Sequence, residues 1–582
     1  MRRCTLLGVV LLSMTGLNLA HAADEVVEVL ARGPIHEAFA MPANTQGDQP
    51  EVITKQPPDL ILEAPPDLRP AIDNVQWISG YWAWDDDESA FLWVSGCWRV
   101  PPPGRRWLPG HWQEVSAGWV WVAGLWLPED QRELQYLPPP PPTADEGPTT
   151  QAPNENSIYI PGCWEYHNSR FLWQPGYWVA YKADWVWQPC IFVWTPNGCL
   201  FTEGYWDYPL EQRGMLFAPV RFLREWWTTR RTFVPAYCIV EDFLIGALFI
   251  GPERRHYYFG DYFEDRYGKR GFIAWPDYRK EHKTNDPIFA YYRHKHGSDP
   301  SWERGLRELY SARQSGDVPR PPRTLNQQVQ TVQKLAKDKT EKDSVRKGIN
   351  ITLTQNVTAL APIKEVQNTK VTNLGSLHEK EVKIPEKTIK IQSLPKEEHA
   401  EHVKAADQQQ QAAKVRHETE TKLLEQGKVP HKPTDKPNSA NVDLPKLPGQ
   451  TTRPPQPPQQ PVLPKHEEKA IPKHEPPKPL EPPKKPTEPP KKSPEPPKNS
   501  PEQPKSPEQS PKKSPEQPPK KSSEPAKSPE QPPKKSPEPP KSPEPPKGSP
   551  DPGKSPEPPK KSSDSSKSSP ELKKSSEPPK GS

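Results

Sequence analysis

The strongest constraint on this 582-residue chain is a short motif that returns at intervals of 14 to 16 residues. Trp77-Ile-Ser-Gly80-Tyr-Trp82 recurs as Trp93-Val-Ser-Gly96-Cys-Trp98, as Trp107-Leu-Pro-Gly110-His-Trp112 and as Trp121-Val-Ala-Gly124-Leu-Trp126. After a Pro-rich and polar interruption it comes back as Tyr159-Ile-Pro-Gly162-Cys-Trp164 and Trp173-Gln-Pro-Gly176-Tyr-Trp178. A degenerate Trp187-Gln-Pro-Cys190-Ile-Phe192 and then Phe201-Thr-Glu-Gly204-Tyr-Trp206 complete the set. Self-similarity at a fixed period means one supersecondary unit repeated, here eight units in two sets of four.

The spacers between units are turn-rich, as at Asp85-Asp-Asp-Glu-Ser89, Pro101-Pro-Pro-Gly104 and Pro196-Asn-Gly198, and the segments between them are rich in Trp, Val, Leu and Tyr. This pattern predicts a mainly β fold, an antiparallel β-meander with one strand per unit. Tryptophans five apart would point to opposite faces of a regular strand. A bulge at the glycine would restore the phase and put both on one face. The competing reading is a type II turn at x-Pro-Gly-x, which splits each unit into two very short strands.

These motifs resemble the YXWGXW (WxxGxW) repeat family of exported bacterial proteins. Arg32-Gly-Pro-Ile-His-Glu-Ala-Phe-Ala40 and the lead-in from Pro57-Pro-Asp to Pro65-Pro-Asp are similar to segments that precede such repeats. The aromatic stretch 219–310 and the Pro-rich tail are similar to the segments on their C-terminal side. The resemblance implies an envelope location and this architecture, and no reaction. Cys190 and Phe192 depart from the motif and put the regularity of the seventh unit in question.

The N-terminus fits export. Met1-Arg2-Arg3, an apolar run from Leu6 to Leu12 and Ala20-His21-Ala22 form a signal-peptide pattern, so residues 1–22 are expected to be removed, with the mature chain free of any transmembrane segment. The expected location is the bacterial periplasm, cell surface or medium. Export makes disulfides permissible for the cysteines beyond Cys4. Cys190 and Cys199 flank a turn and could face each other across a hairpin; buried thiols are the alternative. Every Trp, Tyr and Phe lies at or before Tyr310, which excludes a second conventional core beyond it.

The expected organisation is a Pro-rich lead-in (23–76), the repeat domain (77–206, arrays 77–126 and 159–206) and an aromatic-rich extension (207–318). A polar, partly helical linker (319–450) and a disordered Pro/Lys/Ser/Glu tail (451–582) complete the chain. In the extension, Trp302, Leu306, Leu309 and Arg313 share a helix face that Gly316 ends. Asp242 to Ile250 reads as either a short helix or a buried strand. In the linker, Thr324-Leu-Asn-Gln327 is a capping-box pattern, and Lys396 to Gln426 is a helix nearly without an apolar face. The tail repeats Ser-Pro-Glu and carries 27 Lys and Arg against 18 Asp and Glu. It should be extended and biased to polyproline II, with an anionic envelope polymer or membrane surface as its target, or a spacing role.

No catalytic motif is present, so neither an enzyme nor a cofactor or metal is expected. His294-Lys-His296 could place two imidazoles on one strand face, and Asp85 to Glu88 reads as a charged turn. Nucleic acid is not expected as a partner of an exported chain. The residues between glycine and second aromatic (Tyr81, His111, Tyr177 and Tyr205) are expected to line the face opposite a Trp ladder. There they would form a ligand surface for an envelope polymer or glycan. The reading is a non-enzymatic envelope protein with a structural or binding role. A carbohydrate-binding or glycan-active protein is the alternative.

Overall fold

In the computed structural model, the eight units pair off into four antiparallel hairpins instead of running as one meander. The structure describes residues 27–42, 47–229, 231–252, 256–282, 286–297, 301–337, 359–366, 390–441 and 457–459, all within the unit Met1–Pro479. The signal-peptide pattern and, apart from 457–459, the tail lie outside the described residues.

The first hairpin pairs Gln76–Ile78 with Cys97–Arg99 at its base and Tyr81–Asp85 with Ala90–Val94 at its tip. The second pairs Arg105–Leu108 with Leu125–Pro128 and His111–Val115 with Gly118–Val122. The third pairs Ser157–Ile160 with Tyr177–Ala180 and Cys163–His167 with Arg170–Gln174. The fourth pairs Val186–Gln188 with Tyr205–Asp207 and Ile191–Thr195 with Gly198–Thr202. Antiparallel β structure is thus the fold class. Proline-containing stretches such as 101–103, which lack ladder donors, separate one hairpin from the next.

Neither expected device at the glycine is present. Ile78 pairs with Cys97 and Tyr81 with Val94, so each strand spends two residues on the gap between base and tip. A bulge would need one extra residue on one side. Nor is there a type II turn, because no glycine of the motif lies among the residues of positive φ that such a turn requires. The register runs straight through, and side chains keep alternating. Trp77, Gly96 and Trp98 share one face of the first hairpin; Gly80, Trp82 and Trp93 share the other.

This alternation explains the motif. The first aromatic of each unit lies across the glycine of its partner unit. A Cβ on Gly96 would sit 2.5 Å from Trp77 Cζ2, one on Gly110 2.5 Å from Trp121 Cζ2, and one on Gly124 2.3 Å from Trp107 Cζ2. Gly162 and Gly204 are covered in the same way by Trp173 and Trp187, at 2.6 and 2.7 Å. Beside each glycine, the second aromatic packs edge-on against the ring that covers it, as Trp82 does on Trp93 with centroids 5.2 Å apart. Trp77–Trp98, Trp164–Trp173 and Trp187–Trp206 repeat the contact at 5.3, 5.2 and 5.1 Å. Where the seventh unit has Cys190 in place of glycine, the ring that should cover it is Phe201, smaller than Trp, paired with Phe192.

Gly124→Ala is therefore expected to cost about 2–3 kcal/mol by overpacking. Because Phe in place of Trp107 withdraws the blocking ring edge, Gly124→Ala/Trp107→Phe should lie closer to the parent than the two single costs added together. Urea midpoints of the three variants test this; simple additivity would mean that the ring is not what demands glycine.

The rest of the chain covers the hairpins. Val27–Val29 and Val220–Phe222 extend the tip of the first. Asp242 to Ile250 resolves into both candidates, a helix Glu241–Gly246 and a buried strand Leu248–Ile250. The helix Ser301–Ser315 buries Leu306, Leu309, Tyr310 and Arg313, and Gly316 ends it at φ +88°. Thr324 Oγ1 accepts the Gln327 N–H at the start of Leu325–Lys337. Parts of the expected linker pack on the body. Leu360–Pro362, Ile391–Ser393 and Asn438–Asn441 each add a strand to an earlier one.

Candidate functional site

The gap in each hairpin leaves glycine N–H groups without a partner strand, and buried carboxylates occupy two of these waists. Glu63 accepts from Gly80 N (2.7 Å), Gly96 N (2.9 Å) and Trp93 Nε1 (3.0 Å). Burial, opposed by these three donors, pushes its carboxyl up to about 7. Glu37, in the second hairpin, accepts from Gly124 N (2.8 Å) and Trp121 Nε1 (2.6 Å) and pairs with His256 at 2.7 Å. Its carboxyl is held below the ordinary range, because the His256 contact and the N–H donors outweigh burial. The neighbouring His36 bonds Ser79 O, and burial pushes it down to about 4, so it is neutral. The segment Arg32 to Ala40 is thus a strap through the first two waists.

Two further charge clusters fasten the hairpins. At the bases of the first and fourth, Asp207 holds Arg99 at 2.7 Å and Arg213 at 2.9 Å, all three buried. At the tip of the first, the acidic turn is engaged by arginines: Asp87 pairs with Arg32 (2.7 Å) and Arg270 (2.9 Å), and Asp85 with Arg221 (3.0 Å).

The second tryptophan of each unit has a different task. Its indole N–H donates to a neighbouring segment that crosses the hairpin. Trp82 Nε1 donates to Asp59 O, Trp98 to Leu68 O, Trp126 to Ala38 O and Trp164 to Pro142 O, at 3.0 to 3.1 Å. Trp112 donates to Trp82 O at 2.9 Å and Trp206 to Gln459 O at 3.3 Å. Trp178 differs, since its acceptor is the hydroxyl of Thr150 (3.1 Å) on an exposed residue.

The expected ligand face is not a surface. Tyr81 is buried and stacks on Trp121 at 4.8 Å. His111 is buried against His417 and Glu420, and Tyr205 is buried beneath the Arg105 guanidinium. Of the four, Tyr177 alone is half-exposed. The expectation fails because other parts of the chain cover three of these positions: Tyr81 is capped by Trp121 of the second hairpin, His111 by the segment carrying His417 and Glu420, and Tyr205 by Arg105. The cysteine pairing is also corrected. Cys190 is bonded to Cys163, linking the third and fourth hairpins, and Cys199 is a buried thiol. Cys199 lies opposite Trp194 in the register, four residues from Cys190, or roughly 13 Å along the strand, too far to bridge. His294 lies in the helix Pro287–Lys295 and stacks on Tyr181, whereas His296 stacks on Trp302. They share no strand face. No group of three or more His, Cys, Asp or Glu placed to hold a metal occurs among the described residues.

Sequence reasoning undervalued the helix Lys396–Glu425, which lies against the first two hairpins. Gln409 reads the first waist, donating to Trp77 O and accepting from Ser79 N. Seven residues on, about 10.5 Å along the axis, Arg416 donates to Pro109 O and Ala123 O in the second. Glu420 accepts from Tyr136 and Arg416. The buried face of the helix is His402, Ala405, Ala406, Gln409, Ala412, Ala413, Arg416 and Glu420. The available signal was the repeat of Ala-Ala and of a long polar residue at seven-residue spacing.

The family model described as WXXGXW repeat (2 copies) matches residues 76–99, 106–126 and 158–179. These segments form the first two hairpins and most of the third, and the six units within them are WXXGXW repeats. No curated protein and no solved structure matches the chain.

Proposed function

We propose that this chain is a non-enzymatic, exported cell-envelope protein with a structural or binding role, a WXXGXW β-body carrying a long cationic tail. The observation that carries this reading is how the repeat uses its aromatics. First positions cover partner glycines, and second positions hold crossing segments by their indole N–H groups. The motif's chemistry therefore goes into holding chain together. The signal-peptide pattern supports export, and the tail's Lys excess supports contact with an anionic envelope polymer or surface. A carbohydrate-binding role is the second reading. It is favoured by one feature, the half-exposed ring of Tyr177, which could stack on a sugar ring.

Fractionation of a bacterium expressing the full chain tests the proposal. We expect the protein in the envelope with a mature N-terminus at Ala23, and a form lacking residues 1–22 in the cytoplasm. An unprocessed chain in the cytoplasm overturns it. Retention on glycan that is lost in Tyr177→Ala would favour the second reading.

A further inference from the structure

The segments held by second-position tryptophans share a composition. Asp59 follows Gln56-Pro57-Pro58, Leu68 follows Pro65-Pro66-Asp67, Pro142 ends the run Pro138 to Pro142, and Gln459 follows Gln456-Pro457-Pro458. In three of the seven cases the accepting carbonyl thus lies in or directly after a Pro-Pro pair, and in a fourth it lies two residues after one. Pro-Pro favours polyproline II, whose carbonyls point outward without internal partners. An aromatic ring that also offers an N–H suits such a segment, because the ring packs on proline while the indole bonds the carbonyl.

We propose that the second tryptophan of the WXXGXW unit is a docking post for Pro-Pro segments, and that Trp178 takes such a segment from the tail of a second copy of this chain. Two observations select this post. Trp178 is half-exposed, and its indole is bonded only to an exposed threonine hydroxyl that an incoming carbonyl can replace. Trp206, by contrast, is buried and already donates to Gln459 O, just after the Pro457-Pro458 pair of this chain's own tail, which shows the kind of segment such a post accepts.

The occupant is named by the tail's sequence. Beyond residue 474 Pro-Pro occurs in a single context, Glu or Gln before it and Lys after it, as in Glu481-Pro-Pro-Lys484, Glu488-Pro-Pro-Lys491 and Gln517-Pro-Pro-Lys520. Gln56-Pro-Pro-Asp59 and Gln456-Pro-Pro-Gln459 are the docked counterparts. In the tail the accepting carbonyl would be that of the lysine. A chain that carries many such segments and few open posts links to other copies, and several weak contacts add through effective concentration. The inference stands whether or not the chain is exported.

The test uses the full chain and a fluorescent peptide of residues 486–498, which contains two Glu-Pro-Pro-Lys segments. We expect saturable binding. Trp178→Phe keeps an aromatic ring and removes the N–H, and should weaken binding about threefold to tenfold, the loss of one hydrogen bond. The same peptide with all four Pro-Pro prolines changed to Ala retains its charge and should lose most of its binding. In sedimentation the full chain should associate with rising concentration, and excess peptide should dissolve the assembly. Equal binding by the Ala peptide, unchanged affinity in Trp178→Phe, or no binding at millimolar peptide overturns the proposal. Peptide binding by a chain that sediments as a monomer at every concentration overturns the second-copy assignment. If Trp178→Phe fails to fold, the Ala peptide decides independently.

Discussion

Asp207→Ala is expected to be among the most damaging single substitutions in this protein. One carboxylate serves two guanidinium groups, Arg99 at 2.7 Å and Arg213 at 2.9 Å, and all three side chains are buried. Breaking a buried ion pair costs about 3–5 kcal/mol, mostly from the charge left behind. Here two cations are left, so the cost should lie at the upper end of that range. Both arginines also donate to backbone carbonyls of the strap, Arg99 to Ala38 O and Arg213 to Phe39 O. Losing Asp207 therefore loosens the hold on residues 36–40 as well as the contact between the first and fourth hairpins. Urea unfolding of the variant measures the loss, and amide exchange of residues 36–40 reports the strap. A midpoint change worth under about 1 kcal/mol, the scale of a solvated pair, would mean that water reaches the arginines. Asp207→Asn keeps the shape but not the charge, and should recover only a minor part.

How much of this was legible beforehand differs from element to element. The repeat, its eight units and the antiparallel class come from spacing alone, because period and turn residues are local properties. The meaning of the glycine was not legible. One unit read by itself suggests a bulge or a turn, whereas the reason lies in the partner unit, whose first ring crosses the glycine. The clue was present once units were read in pairs: Cys190 stands in place of glycine and Phe201 in place of Trp, in two units that turn out to be partners.

The long helix was legible as a helix and illegible as part of the body. Its buried side is alanine and long polar residues, so an apolar-face criterion passes over it. Gln409 and Arg416 lie seven residues apart because the two waists they read are spaced along the helix, and His402, seven residues earlier, packs edge-on against Trp98. The acidic turn was correctly placed at a hairpin tip. Its arginine partners, at Arg32, Arg221 and Arg270, come from parts of the chain far apart in sequence, and no local pattern connects them. The strap at His36 and Glu37 stands out in the sequence by resemblance alone; its role depends on unpaired glycine N–H groups that exist only once the hairpins have formed.

Glu63 gives the second large effect, and its size depends on pH. Glu63→Ala leaves Gly80 N, Gly96 N and Trp93 Nε1 buried without an acceptor. At about 1–3 kcal/mol for each of the three unmatched donors, the cost should be about 3–9 kcal/mol. The parent protein changes with pH as well. Burial raises the Glu63 carboxyl to about 7, from an ordinary value of 4.5, so the folded state binds this proton more tightly than the unfolded state does. The resulting stability is fully present below about pH 4.5 and is lost as the pH rises through about 7. A shift of that size corresponds to about 3 kcal/mol. The alanine variant has no such group, so the cost of Glu63→Ala should be larger at pH 5 than at pH 8, by about 2–3 kcal/mol. Urea midpoints of parent and variant at the two pH values give the comparison, and other titrating groups cancel in the difference. A cost that grows with pH would mean that the three N–H donors outweigh burial, and that the carboxylate is held ionised in the waist.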